Sequence, residues 1–388
     1  MTIPQKNIDK LSTRFKTVET KADLADLLSI AKAMAYKEDV KPISVKALTY
    51  YANPALCKQR YRTFIIPKKS GGQRTINAPV DGLKRILRSL NYIVQALTRP
   101  HNAATGFVLN RSIVDNALRH TDKNYVYNID LKDFFHSFDR NRVKLGFMYP
   151  PFDLRGDREP LAFLLACLCT HNIEEGGITR RVLPQGSPVS PTLTNLLCMK
   201  LDRRLTGLAK RFSLTYSRYA DDISFSSKHN VYGKEEFLKE LHRIIHDDQG
   251  FTINPKKVRL QKRGYRQEVT GLTVNQKPNV TRRYVKQIRM YLYYWEKYGF
   301  EKANAIFIKD YKTDRGATKK GTPDLANVLD GKLEFLRMVK GKEDSTYSAL
   351  KSRFDLVVDA DNPILEIIAI WEGKGIEKAM EKYFNKLK

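Results

Sequence analysis

The chain has 388 residues, enough for two to four packed subdomains rather than one small module. With 42% hydrophobic and 29% charged residues it can build a sizeable core, which excludes global disorder. Its 69 Lys and Arg exceed its 42 Asp and Glu by 27; such a surplus repels itself, so phosphate backbones or anionic membranes are the partners to expect.

The first residues, MTIPQKNIDKLSTRFK, carry no apolar signal segment, so no secretory signal is expected. The most apolar run, 161–169, is about half the length a membrane span needs and reads as a buried helix. Cys57, Cys167, Cys169 and Cys198 make no paired metal spacing and are expected as buried, reduced thiols. A cytoplasmic protein without a membrane partner is the expectation.

In chain order, residues 1–55 are expected to be helical, with Leu24, Leu27, Leu28, Ile30 and Ala31 near helical spacing. Two β-prone runs within 63–76 flank Gly71-Gly72, a cation-rich hairpin signal. Asp81 is the expected cap of a helix whose stripe is Leu83, Ile86, Leu87, Leu90, Ile93, Val94 and Leu97, ended by Pro100. Residues 125–131 read as a strand. Ser190-Pro191 reads as cap and first turn of a helix carrying Leu193, Leu196, Leu197, Leu201, Leu205 and Leu208. Residues 214–219 and 223–227 read as strands joined across Ala220-Asp221-Asp222, followed by a helix over 234–246 and short extended pieces at 251–253 and 258–260. Strands alternating with helices over 122–275 predict a mixed α/β sheet domain, and from about 280 the pattern turns helical.

Asp221-Asp222 is the most informative pair. Two adjacent acids at a hairpin tip between apolar strands repel each other, and nothing nearby in sequence neutralises them. A divalent cation would. Asp130 ends another β-rich run, and if the strands pair, Asp130 and Asp221 converge within metal-bridging distance. Two Mg²⁺ ions there would clamp the attacking and leaving oxygens of a phosphoryl displacement.

These residues stand in a recognisable order. Asp130 to Phe135, Leu183-Pro184-Gln185-Gly186-Ser187-Pro188 and Tyr219-Ala220-Asp221-Asp222 resemble the successive palm blocks of reverse transcriptases, and their order is similar to that of the bacterial retron type. The resemblance spans about 60–275. Asn116-Ala117-Leu118-Arg119-His120 is similar to the retron NAxxH signature, and Val269-Thr270-Gly271 to the VTG signature.

The resemblance implies an α/β (α+β) right-hand polymerase fold. A helical N-terminal extension (1–55) would precede fingers (56–121), a palm (122–279, with a finger insertion around 141–182) and a mostly helical thumb with RNA-binding region (280–388). It implies Asp130 and Asp221 as main Mg²⁺ ligands, the Leu131 carbonyl assisting and Asp222 secondary. Phe135 would stand under the sugar and select dNTP, and Gln185 and Gly186 would shape the nucleotide pocket. Lys68 or Lys69 and Arg74 would grip the triphosphate, and Lys257, with Lys256 as competitor, would donate a proton to pyrophosphate. Asn116, His120, Val269, Thr270 and Gly271 are read as family markers and RNA or scaffold contacts; as bare residues, they could equally cap and pack local structure.

The implied activity is RNA-directed DNA synthesis on a cognate structured noncoding RNA. It is primed from a guanosine 2′-OH to give a branched RNA–DNA molecule (msDNA), in antiphage defence with a separate effector protein. Two other readings stand beside it: a defence reverse transcriptase with different priming, and a catalytically silent RNA-binding scaffold. Residues 282–320 hold 11 Lys/Arg against 4 Asp/Glu, interleaved with tyrosines. Arg282, Arg283, Lys286, Arg289 and Tyr294 are the expected RNA contacts, with cations for phosphates and rings for unpaired bases. Residues 312–323 read as a loop, 330–336 as a thumb helix, and the tail beyond 355, with Ile364, Leu365, Ile367, Ile368 and Trp371, as a docking element.

Overall fold

The computed structural model describes residues 2–36, 41–67, 71–315, 323–360, 370–373 and 375–386. The chain forms two compact units, Met1–Thr270 and Gly271–Lys388.

The first unit opens with helices α1 (Gln5–Lys16), α2 (Lys21–Tyr36) and α3 (Val45–Ala52), followed by the antiparallel hairpin β1 (Tyr61–Pro67) and β2 (Gln73–Pro79). Helix α4 (Asp81–Leu97) buries Leu83, Ile86, Leu87, Leu90, Ile93 and Val94 as its spacing requires, in one apolar cluster with Leu11, Phe15, Leu24, Leu27 and Leu28. Its cap is Val80 rather than Asp81. Asp81 lies within the first turn, where its charge meets the positive end of the helix dipole.

A short helix α5 (Ile113–Leu118) starts from a capping box made by Ser112 and Asp115. Strand β3 (Tyr125–Asp130) leads to α6 (Arg140–Met148), α7 (Glu159–Cys169) and the hairpin β4 (His171–Glu175) and β5 (Ile178–Val182). Helix α7 is the apolar run and is buried from Leu161 to Cys169 except at Phe163; all four cysteines are buried and free. The helix expected from Ser190 is two helices, α8 (Ser190–Leu197) and α9 (Met199–Arg211), interrupted at Cys198. Val189 is the cap, and Ser190-Pro191 occupy the first turn. Strands β6 (Thr215–Tyr219) and β7 (Asp222–Ser227) follow, then α10 (Glu235–His242), a π turn (Arg243–Asp247) and β8 (Arg259–Lys262).

The central sheet has the order β6-β7-β3-β8, and each of these pairs is antiparallel. The alternation of helices and strands therefore builds the α+β form rather than parallel βαβ units, because neighbouring strands are joined by a hairpin or return from the far side.

The second unit holds α11 (Arg282–Tyr298), α12 (Phe300–Arg315), α13 (Leu325–Lys340), α14 (Ser345–Ala360) and a terminal helix, Ile376–Lys386. The first part of the expected 312–323 loop is the last turn of α12, and 316–322 lie outside the described residues. Ile364, Leu365, Ile367 and Ile368 also lie outside them. Among the described residues no helix is long and apolar enough to cross a membrane.

Candidate active site

Strand pairing places the acids. In the β3–β7 register Asp130 stands directly opposite Asp222, and β6 and β7 close on the pair Tyr219 and Asp222. Only Ala220 and Asp221 remain for the turn. Ala220 takes a left-handed φ of 57°, which a non-glycine residue adopts at a cost of about 1 kcal/mol. The Leu131 N–H donates to the Asp221 carbonyl at 3.1 Å, tying the turn to the residue after Asp130. Three carboxylates thus share one end of the sheet.

Asp130 is buried and accepts from Lys257 Nζ at 2.6 Å and Asn254 Nδ2 at 3.2 Å. Burial and the nearby Asp130 charge raise the Asp221 carboxyl above the usual range. Asp222 remains exposed on its rim, yet crowding by protein atoms, then Asp221 and Asp130, push it up to about 6. Hard oxygen donors that repel one another suit a divalent cation, and the Lys257 ammonium already takes a cation's place at Asp130. The corner is looser than expected: as a trio, the donor atoms of Asp130, Asp221 and Asp222 do not all lie within 4.8 Å of one another. Among the described residues, the group of three that does meet this spacing is His242, His246 and Asp247, exposed and at the π turn.

Gln185 and Gly186 are held against strand β2. The Asn77 N–H donates to the Gln185 carbonyl at 2.8 Å. Gly186 has φ +121°, and a Cβ there would lie 2.7 Å from the Asn77 carbonyl oxygen, so only glycine fits. Phe135 lies half-buried in a 3-10 turn, Phe134–Ser137, its ring edge-on to Phe134. Arg74 is exposed on β2, close enough for its charge to oppose the rise at Asp221. Lys68 and Lys69 lie outside the described residues.

Asn116 and His120 are not available to RNA. Both are buried, Asn116 accepting from Thr105 Oγ1 at 2.8 Å. The His120 ring nitrogens each meet a serine at 2.7 Å, Ser226 on β7 and Ser217 on β6. Val269 is buried as well, and Thr270 is half-buried, its hydroxyl donating to the Ile113 carbonyl at 3.4 Å. The marker segments brace the strands that carry the acids, because their polar groups find partners inside the fold. Gly271, with φ +80°, begins the second unit.

Burial pushes the His120 imidazole down to about 3 from 6.5. Between those values the unfolded chain takes a proton that the folded chain refuses, so stability falls as pH drops below 6.5, at most about 1.4 kcal/mol per pH unit. Urea midpoints of the wild type and His120→Gln between pH 7 and 5 check this. The variant is expected to show the shallower slope, and parallel slopes would remove His120 as the cause.

Two residues near the acids carried no motif. Gly106 lies beneath the turn: a Cβ on it would lie 2.7 Å from Ala220 N. Arg218, three residues before Asp221, is fully buried in an ion pair with Asp202. Nothing in the sequence singled out either residue: Arg218 stands in a strand that also holds Thr215 and Ser217, and only its burial shows that it needs an acid partner.

In the second unit, Arg282, Lys286 and Arg289 are exposed on one face of α11, and Tyr293 continues that face. Ile288, Tyr291, Leu292 and Trp295 form the buried face. Arg283 is exposed beside the basic row. Tyr294 is only half-buried, and the exposed rings of α11 are Tyr293 and Tyr298, because the helix turns Tyr291 and Trp295 toward the unit's core.

The antiparallel sheet thus presents an acid pair at a tight turn, opposite a third acid on the neighbouring strand. Residues 66–281 match the family described as reverse transcriptase (RNA-dependent DNA polymerase). Retron Mx162 reverse transcriptase of Myxococcus xanthus is 38% identical over 278 residues, 66% of this chain and 54% of that protein. Retron Mx65 reverse transcriptase of Myxococcus xanthus is 37% identical over 268 residues, 65% of this chain and 60% of that protein. Retron Ec86 reverse transcriptase of Escherichia coli is 34% identical over 239 residues, 59% of this chain and 68% of that protein. The chain belongs to the reverse transcriptase family and, within it, to the retron type. The family's right-hand polymerase fold is the one expected from the motifs. The chain spans little more than half the length of the two Myxococcus proteins.

Proposed function

We propose that this chain is the cytoplasmic RNA-directed DNA polymerase of a retron. The observation that carries the reading is the opposition of Asp130 and Asp222 across β3 and β7, with Asp221 at the turn between β6 and β7. Residues 1–55 form a helical extension, 56–121 the fingers, 122–279 the palm with its insertion at 141–182, and 280–388 the thumb.

Asp130, Asp221 and the Leu131 carbonyl hold two Mg²⁺ ions, with Asp222 secondary. Bound there, the ions supply Lewis-acid activation of the attacking hydroxyl and neutralise charge on the leaving phosphates. Arg74, with Lys68 or Lys69, binds the triphosphate as fork and point charge. The Gly186 backbone approaches the nucleotide where no Cβ fits. Phe135 stands under the sugar and excludes a 2′-OH. Lys257, released from Asp130, gives a proton to pyrophosphate. The basic face of α11, Arg282, Lys286 and Arg289 with Arg283 beside it, binds RNA phosphates, and exposed Tyr293 rather than Tyr294 stacks on bases.

The template is a structured noncoding RNA whose guanosine 2′-OH primes synthesis and remains as a 2′,5′ branch in the msDNA product. Antiphage defence then depends on a separate effector protein. Expression of the chain with its native flanking DNA, beside an Asp221→Ala, Asp222→Ala control, tests this. A DNA band that resists RNase, shifts on debranching and is absent from the control is the expected result. DNA without a branch moves the reading to another priming chemistry, and no DNA from the active protein removes it.

Phe135→Ala is expected to lower the preference for dNTP over NTP by about 10- to 100-fold in kcat/KM. Single-nucleotide incorporation checks the ratio; an unchanged ratio makes Phe135 an ordinary packing ring.

A further inference from the structure

We propose that Arg218 is a positioning residue, whose buried guanidinium sets the turn that presents Asp221 and Asp222 and so governs divalent-ion affinity and turnover without touching the nucleotide. The inference rests on the polymerase reading above and adds a residue to it.

Every nitrogen of the Arg218 fork is used. Nε and Nη2 donate to the two oxygens of Asp202 at 2.8 and 2.7 Å, and Nη2 also reaches Asn195 Oδ1 at 3.2 Å. Nη1 donates to the Ala220 carbonyl at 3.1 Å. Ala220 is the left-handed residue of the turn, and Asp221 follows it directly. The fork therefore grips the main chain where the backbone is least content to stay.

The other end of the grip is anchored too. Asp202 accepts a further bond from Tyr216 Oη at 2.7 Å, and Asn195 Nδ2 donates to the Gly106 carbonyl at 2.8 Å. The Arg218 main chain is held on both sides, its N–H to the Ala103 carbonyl and its carbonyl by the Thr105 N–H, each at 2.8 Å. Two segments, 103–105 through the main chain and α8–α9 through the side chain, are thus joined to the turn by one residue.

An ion pair is a costly way to fill space, since apolar residues of the same volume serve a fold as well or better. What the pair adds here is direction. A planar fork holds the carboxylate and a carbonyl in fixed relation; an ammonium on a flexible stem cannot. Without that grip, the turn is free to leave the left-handed conformation, and the carboxylates lose their common orientation toward a cation. Nucleotide contacts are expected to stay as they were, because the side-chain bonds of Arg218 go to Asp202, Asn195 and Ala220 and none goes to Gln185 or Gly186.

Arg218→Lys keeps the buried charge pair and loses the fork. In the full chain, three quantities are compared with the wild type: folding by circular dichroism, primer extension, and Mn²⁺ binding by water-proton relaxation. The Mn²⁺ counted is that which Asp221→Asn removes. The expected result is a folded variant with Mn²⁺ affinity at least fivefold weaker, kcat at least 30-fold lower and dNTP KM within twofold. A folded variant within twofold of the wild type in both Mn²⁺ affinity and kcat overturns the proposal. If Arg218→Lys does not fold, the Arg218→Met, Asp202→Leu double variant carries the same test without a buried charge. Unfolding of both also overturns it, because Arg218 then serves the whole fold rather than the turn. A wild type that binds Mn²⁺ through Asp221 but incorporates no dNTP sinks the polymerase reading alone, and the Mn²⁺ comparison still decides the role of Arg218.

Discussion

Asp221→Asn is expected to reduce dNTP incorporation by at least about 10³-fold in kcat, roughly 4 kcal/mol of transition-state stabilisation, while RNA binding stays unchanged. The same variant is expected to be more stable than the wild type. Burial and the Asp130 charge raise the Asp221 carboxyl, so its ionised form is disfavoured in the folded state at neutral pH. Above the raised value the folded chain carries that penalty, which a neutral amide of the same shape removes. Loss of activity with a gain in Tm is the signature of acids kept for chemistry at the expense of stability. Thermal unfolding beside primer extension decides it: a variant that polymerises normally, or one whose Tm falls, ends the reading of Asp221 as a metal ligand held against its neighbours.

The second large effect is expected at Gly106. Its added Cβ would lie 2.7 Å from Ala220 N, 3.0 Å from the Tyr219 carbonyl carbon and 3.1 Å from Tyr219 Cα. These are backbone atoms of the turn itself, so relief comes only by moving the strand end that carries Asp221 and Asp222. Gly106→Ala is expected to lower polymerase activity about 100-fold and to cost about 1–3 kcal/mol of stability. Gly207, in α9, has nothing within 4 Å of an added Cβ and no left-handed φ, so Gly207→Ala is the matched control and should be neutral or stabilising. Equal behaviour of the two variants in denaturant titrations and primer extension would show that Gly106 does not bear on the turn.

Where a requirement is satisfied by neighbours in the chain, the sequence was enough. The stripe of α4 and the apolar run of α7 announce their buried faces, since helical spacing alone decides which side chains share a face. Asp221-Asp222 is legible because adjacent acids between apolar strands have no local use, and Asp130 because it ends the run that pairs with them. Caps are read less well. Asp81 and Ser190 are good capping types, yet each fell one residue inside its helix, because the preceding residue's backbone rather than a side-chain bond set the start.

What partners distant in the chain impose is visible in the fold alone. Asn116 and His120 read in the sequence either as RNA contacts or as local packing groups, and only their bonds to Thr105, Ser217 and Ser226 show them to be internal braces. Gly106 and Arg218 carry no periodicity, and a single residue announces nothing until the turn it supports comes into contact. The family was legible in the chain, because the blocks around Asp130, Gln185 and Asp221 stand in a particular order. The fold alone decided how the acids are held, because a glycine's missing Cβ and a guanidinium's reach matter only against atoms brought from far along the chain.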